Sequence, residues 1–545
     1  MKKSRFTDIP PMTNQHAAHP TVREAFIRVM RDFGIDTVFG NPGSTELPMF
    51  REFPQDMRYV LGLQESVVVG IADGYAQATG KAALVNLHSA VGVGHAMGNI
   101  FTAFKNQTPL IITAGQQSRS ILPFDPYLFS SQSTDLPKPY VKWACEPARA
   151  ADVPLALARA YYMAMQAPRG PVFLSIPADD WDKETDWVRT RSVSQSIGPD
   201  PSLLAKLSDD LNKAKRPAIV TGAGVARDGA VSRLIKLAEL HQAAVYAAPM
   251  SARCGFPERH HLFMGFLPAM REKIVSLLSG HDLILVLGAP AFTYHIDGAG
   301  PHVPPEAACW QIVDDANTAA WTPTGNSIIS SIDLALDALV PTSTPSTHRT
   351  SLASRATPAE PAPSSPMSAS FVLQQLDQAR GEYDVVVEEA PGTRATMQQY
   401  LPMDGEDRFY TMASGGLGWG MPAAIGIALG RQKLGLPGRV IGLIGDGSSL
   451  YSIQALYSAA ELELPITFII MNNRRYAALQ EFAPVFKYKA NEKPVGTDLP
   501  GIDFVRLAEA QVVKASRVED PQQLQSALQA ALQVEGPCLL EVVIA

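Results

Sequence analysis

The chain has 545 residues, 46% of them hydrophobic and 18% charged, with a formal net charge of −7. That length holds roughly three to four domains of about 150 residues. The acidic balance argues against nucleic acid as a partner, which needs a basic face. No run of ~18 apolar residues occurs, so no segment reads as a membrane-spanning helix.

Residues 1–20 form a tail in which Lys2, Lys3 and Arg5 precede proline and polar residues. Without an apolar stretch it does not read as a secretory signal. Cys145, Cys254, Cys309 and Cys538 are scattered and form no CxxC or Cys/His cluster. They read as reduced thiols in a cytoplasmic protein.

A first domain spans 21–182, with apolar runs at 82–87, 110–114 and 172–176 and a buried-helix pattern over 66–79. The polar stretch 183–200 reads as a linker. A central domain spans 201–340, with runs at 218–222, 283–288 and 309–313. Residues 341–367 are rich in Pro, Ser, Thr and Ala, the composition of an extended linker. A third domain spans 368–545, with runs at 384–388, 439–444, 466–471 and 538–544. These Val/Ile/Leu runs lack clean alternation, as strands covered on both faces do. Alternating with helical patterns, they predict three doubly wound α/β domains with parallel sheets.

The strand run 439–444 leads into Gly445-Asp446-Gly447-Ser448, and the run 466–471 into Asn472-Asn473. Asp446 and Asn473 are 27 positions apart, room for one strand-helix-strand unit. Both therefore fall at carboxyl ends of parallel strands, where such sheets bind ligands. An Asp carboxylate and an Asn carbonyl are hard oxygen ligands suited to Mg²⁺ that also holds phosphate. Glycines beside a helix start let backbone N–H groups approach a diphosphate. Alone, a Gly-Asp-Gly turn closes many strands; with Asn-Asn at this spacing it is specific.

That combination resembles the thiamine-diphosphate (ThDP) binding motif. The resemblance implies Mg²⁺ held by Asp446, Asn473 and the main-chain carbonyl of Arg475. It also implies diphosphate contacts from Gly392, Thr393, Gly447 and Ser448, with Tyr476 at the cofactor. In this family a Glu in the first domain bonds the aminopyrimidine N1′. Glu65, where YVLGLQE meets a buried helix, is the matching acid. Read alone, it is equally an acid at a helix start, favoured by the macrodipole. Within TMASGGLGWGMPA (411–423), Leu417 matches the residue that holds the cofactor bent, and Gly415 the one whose carbonyl takes its 4′-amino group.

Long blocks are similar to benzoylformate decarboxylases: GIDTVFGNPGSTELP at 34–48, NLHSAVGVGHAMG at 86–98, LVLGAPAFTYH at 285–295 and MNNRRYAALQEF at 471–482. The resemblance implies that Ser44 holds the substrate carboxylate and that His88 assists addition and product release. It implies that His295 returns a proton to the carbon that CO₂ leaves. Leu128, Tyr127, Ala478, Leu479 and Phe482 would line an apolar pocket, which favours loss of CO₂ from a desolvated carboxylate.

The implied activity is non-oxidative decarboxylation of an aromatic 2-keto acid, in a homotetramer whose active sites lie between chains. A related ThDP carboligase or lyase, a decarboxylase of another 2-keto acid and a non-catalytic cofactor-binding homologue remain as alternatives. A tandem His-His in the first domain, as in pyruvate and indolepyruvate decarboxylases, is absent before His260. Two positions depart from the family pattern. Pro391 cannot supply a hydroxyl or N–H to a diphosphate, leaving that contact to Thr393, and Tyr127 replaces an aliphatic residue. The loop Asp135-Leu136-Pro137-Lys138 is a further candidate for a structural cation.

Overall fold

The computed structural model describes residues 19–344, 355–489 and 492–545. Residues 1–18 of the expected tail and 345–354 of the second linker lie outside the described residues. Three six-stranded sheets carry the chain, and every strand pair in them is parallel. Each of the apolar runs named above forms a strand. Thr37–Gly40 is the strand expected before Ser44 and Arg58–Leu61 the one expected before Glu65, whereas the short strand Ala244–Ala247 was not expected, because four residues carry too little pattern.

The first sheet runs Arg58–Leu61, Thr37–Gly40, Ala83–Leu87, Leu110–Gln116, Val172–Pro177, Ala144–Cys145 across its width. The third runs Phe409–Thr411, Val385–Glu389, Val440–Gly445, Ile466–Asn472, Cys538–Val543, Lys514–Val518. Counted within each domain, both follow the order 2-1-3-4-6-5. The middle sheet follows 3-2-1-4-5-6, the order of dinucleotide-binding folds. Crevices open where strand order reverses, so the outer sheets present theirs beside Thr37–Gly40 and beside Val385–Glu389. In the middle sheet the corresponding crevice is closed by the chain itself: the Gly224 N–H donates to the Gly288 carbonyl at 2.9 Å.

Two helices join the outer domains. Glu65–Thr79 starts where the Gln64 side chain accepts the Val67 N–H, and ends at Gly80 in the left-handed region. It packs directly on Gly420–Lys433: a Cβ at Gly426 would lie 1.9 Å from the Ile71 carbonyl oxygen. Only glycine permits that approach, and one continuous apolar core runs through both domains as a result. Asp73, fully buried within the first helix, accepts the Trp419 indole N–H at 2.6 Å and the Asn106 amide at 2.8 Å. Asn99 adds a second tie, donating to the carbonyls of Ser66 and Gly418. Among the described residues no helix is long and apolar enough to cross a membrane.

Candidate active site

In the first domain the candidate residues gather at the carboxyl ends of Thr37–Gly40 and Ala83–Leu87. Ser44 is exposed in the turn after the first of these strands. His88 closes the second and precedes helix Ser89–Asn106. Its Nδ1 lies 2.8 Å from Glu46 Oε2. With that carboxylate as acceptor, Nδ1 carries the ring proton and Nε2 remains available to a ligand. Glu46 is 1% exposed and also accepts N–H bonds from Gly43 and Gly115 at 3.0 and 2.8 Å. Glu65 opens its helix, 8% exposed, with His95 Nδ1 3.1 Å from its Oε2. Leu128 meets the same region, its carbonyl accepting the Ser89 hydroxyl at 2.7 Å. Tyr127, expected in the pocket, stands 87% exposed in the single chain.

In the third domain Asp446 begins a short helix at the end of Val440–Gly445, and Asn473 follows Ile466–Asn472. Asp446 Oδ2 and Asn473 Oδ1 both accept the Arg475 N–H, each at 3.2 Å, so hard oxygens converge at one point. Asp446 Oδ1 accepts the Gly447 N–H at 2.7 Å. Burial pushes the Asp446 carboxyl above its usual range against these backbone donors, which leaves the ionised form in need of a cation. The donor set fits Mg²⁺. Tyr476 lies against Gly447, where a Cβ would meet its ring at 2.3 Å. Only glycine leaves that backbone open. Ser448 is buried beside it, and Gly392 is partly exposed at the neighbouring strand end. Thr393 is buried, and its hydroxyl donates to the Ala390 carbonyl at 3.1 Å. That hydroxyl is therefore already engaged.

The loop before helix Gly420–Lys433 brings Gly415, exposed at φ +75°, and Leu417, packed on the shared core. Glu389 holds this loop: buried to 1% exposure, it accepts the N–H groups of Gly418 and Trp419 at 2.6 and 2.7 Å. From the middle domain His295 stacks on Phe482, with ring centroids 4.8 Å apart. Ala478, Leu479 and Phe482 share helix Ala477–Phe482, so this apolar face adjoins the Asn473–Tyr476 segment.

The candidates thus form two groups. Among the described residues no hydrogen bond, ion pair or ring contact joins Ser44, Glu65 or His88 to Asp446, Asn473, His295 or Phe482. Sequence reasoning missed Glu46, His95 and Glu389. Glu46 carries a weak signal, an acid between the Gly/Pro turn and a helix; consecutive acids closing a buried strand mark Glu389. In the loop Asp135-Leu136-Pro137-Lys138 the Asp135 carboxylate pairs with the Lys138 ammonium at 2.9 Å.

Comparison with known proteins identifies the family. Profiles of the thiamine pyrophosphate enzyme family match in three parts: the N-terminal TPP binding domain over 20–134, the central domain over 204–339 and the C-terminal TPP binding domain over 392–542. The chain belongs to the thiamine-diphosphate-dependent enzymes. Within them it is a decarboxylase close to benzoylformate decarboxylase, a carboxy-lyase. It is 41% identical to benzoylformate decarboxylase of Pseudomonas aeruginosa, over 96% of this chain and 98% of the relative. The benzoylformate decarboxylase structure from Polynucleobacter necessarius superposes with a TM-score of 0.94 at 39% identity, covering 96% and 98% of the two chains. The ThDP-dependent 4-hydroxybenzoylformate decarboxylase of Rhodococcus jostii gives 0.92 at 37% identity, covering 96% and 99%.

Proposed function

We propose that the protein catalyses Mg²⁺- and ThDP-dependent, non-oxidative decarboxylation of an aromatic 2-keto acid to the aldehyde and CO₂. The observation that carries this reading is His295 stacked on Phe482, whose helix Ala477–Phe482 directly follows the Asn473–Tyr476 segment where the oxygens of Asp446 and Asn473 converge. It offers a proton carrier and an aromatic wall next to a cofactor anchor. ThDP, when bound, supplies the nucleophilic carbon and the electron sink.

Asp446, Asn473 and the Arg475 carbonyl hold Mg²⁺. Gly392, Gly447, Ser448 and Tyr476 receive the diphosphate, joined by Thr393 when its hydroxyl turns from the Ala390 carbonyl, with Pro391 contributing no donor. Gly415 and Leu417 position the pyrimidine end, and Glu65 holds a proton at its N1′. Ser44 orients the substrate carboxylate. His88, aimed by Glu46, exchanges a proton at the substrate carbonyl oxygen. His295 delivers a proton to the carbon from which CO₂ departs. Tyr127, Leu128, Ala478, Leu479 and Phe482 take the aryl ring and strip water from the carboxylate, which raises the energy of its charged form and favours CO₂ loss.

The two groups of residues come together in this reading when a second copy docks, within a homotetramer. The exposed apolar side chains flanking each group support that: Phe124 and Tyr127 beside the first, Leu479 and Phe486 beside the second. A cytoplasmic location suits the four free cysteines. Stripping the protein with chelator and then restoring ThDP and Mg²⁺ separately tests the reading. CO₂ release from benzoylformate should return only with both. Full activity without either would refute it.

A further inference from the structure

A cavity of about 230 Å³ lies between the middle and third domains. Thr221 and Ala247 reach it from the carboxyl ends of Pro217–Thr221 and Ala244–Ala247, to one side of the closed crevice. Phe256 and Phe263, 1% and 2% exposed, supply aromatic walls with Phe266.

From the third domain comes Arg394, whose side chain is 14% exposed. Its nearest charged partner is Glu388, 3.5 Å away and already engaged with the Ala390 N–H and the Thr411 hydroxyl. Among the described residues no hydrogen-bond acceptor serves this guanidinium, although it carries five donors. Two other charged groups line the cavity. Arg253 is paired with Asp407. Burial pushes the Glu258 carboxyl up to about 8, so at neutral pH it sets no negative charge against an incoming anion.

We propose that this cavity is a second ligand site, which takes a small aromatic carboxylate with its carboxylate on Arg394 and its ring among Phe256, Phe263 and Phe266. A planar guanidinium with free donors matches a carboxylate bidentately, and the phenyl walls match an aryl ring.

The site abuts two segments of the second catalytic group. Ala269 also lines the cavity, and its carbonyl accepts the His295 N–H at 2.9 Å. Pro391, another lining residue, immediately precedes Gly392 and Thr393. An occupant therefore bears on the His295 loop and on the diphosphate segment, which makes an aryl acid a regulator of turnover. That consequence rests on the function proposed above; binding in the cavity does not.

Crystals of the holoenzyme soaked in 4-bromobenzoate locate the site through bromine anomalous scattering, and calorimetry gives its affinity. The expected result is a bromine peak between Arg394 and the phenyl walls in the wild type. Arg394→Gln should weaken binding there at least tenfold, and Ala248→Phe, filling the opposite wall, should abolish it. Bromine at the catalytic site alone would overturn the proposal, as would unchanged affinity in both variants. Loss of ThDP affinity in Arg394→Gln without any change for bromobenzoate would assign Arg394 to the diphosphate and also overturn it. Cavity binding in a protein that turns over no keto acid would leave this site standing and remove only the proposed activity.

Discussion

Glu46 Oε2 lies 2.8 Å from His88 Nδ1, and two backbone N–H groups fix the same carboxylate from behind. The pair leaves Nε2 as the nitrogen of His88 open to the proposed substrate role. Glu46→Gln keeps the shape but turns an amide N–H₂ toward groups that need an acceptor. kcat/KM for an aryl keto acid should fall by about 100-fold, within the ~10²–10⁴ range of a positioned acid–base group. Steady-state kinetics with a parallel ThDP titration checks this, since ThDP affinity should hold. Wild-type kcat/KM in the variant would remove Glu46 from its role.

Glu65 is the acid assigned to the pyrimidine end. Glu65→Gln should slow deuterium exchange at C2 of bound ThDP by about two orders of magnitude or more, with ThDP still bound. Quenched-flow exchange read by NMR provides the measurement. An unaltered exchange rate would show that another group holds the N1′ proton.

Asp73 and Trp419 join the first and third domains through a buried hydrogen bond of 2.6 Å. Asp73→Ala would leave the Trp419 indole N–H and the Asn106 amide without their acceptor. Buried donors left unpaired cost about 1–3 kcal/mol each. The thermal unfolding midpoint should drop by several degrees, and Asp73→Asn, which retains one acceptor oxygen, should lose less. Equal midpoints for wild type and Asp73→Ala would contradict the assignment.

Glu258 predicts a pH dependence of stability. Burial raises its carboxyl from 4.5 to about 8, opposed by the Met403 N–H and by Arg355, Arg380 and Arg259. The folded-state value lies above the unfolded one, so the neutral carboxyl's contribution is whole below about 4.5 and is lost as pH rises through about 8. Glu258→Gln cannot ionise and keeps an acceptor for Met403. Its thermal midpoint should decline less than the wild type's between pH 7 and 9. Parallel curves would show that Glu258 is already charged at neutral pH.

What the sequence disclosed follows from how local each feature is. Runs such as 283–287 and 466–471 are long, apolar and buried on both faces, so their strands could be read without neighbours. Asp446 and Asn473 were legible because a turn after a strand and a fixed spacing are properties of the chain. The strand Ala244–Ala247 was not, since four residues carry too little pattern to read alone. The partners of the buried carboxylates Glu46 and Glu389 are likewise invisible in one dimension. Glu46 reaches His88 across 42 positions, and Glu389 reaches Trp419 across 30. Charge in a sequence shows that an acid exists, and only packing shows what it faces.

The most direct measurement is aldehyde release from the ThDP- and Mg²⁺-loaded protein across a panel of benzoylformate, 4-hydroxybenzoylformate, phenylpyruvate and pyruvate. The apolar pocket proposed around Phe482 and Leu479 predicts the highest kcat/KM for one of the two benzoylformates, with benzaldehyde or its 4-hydroxy analogue as product. Release of no aldehyde from any of the four, under conditions where ThDP is demonstrably bound, would contradict the account.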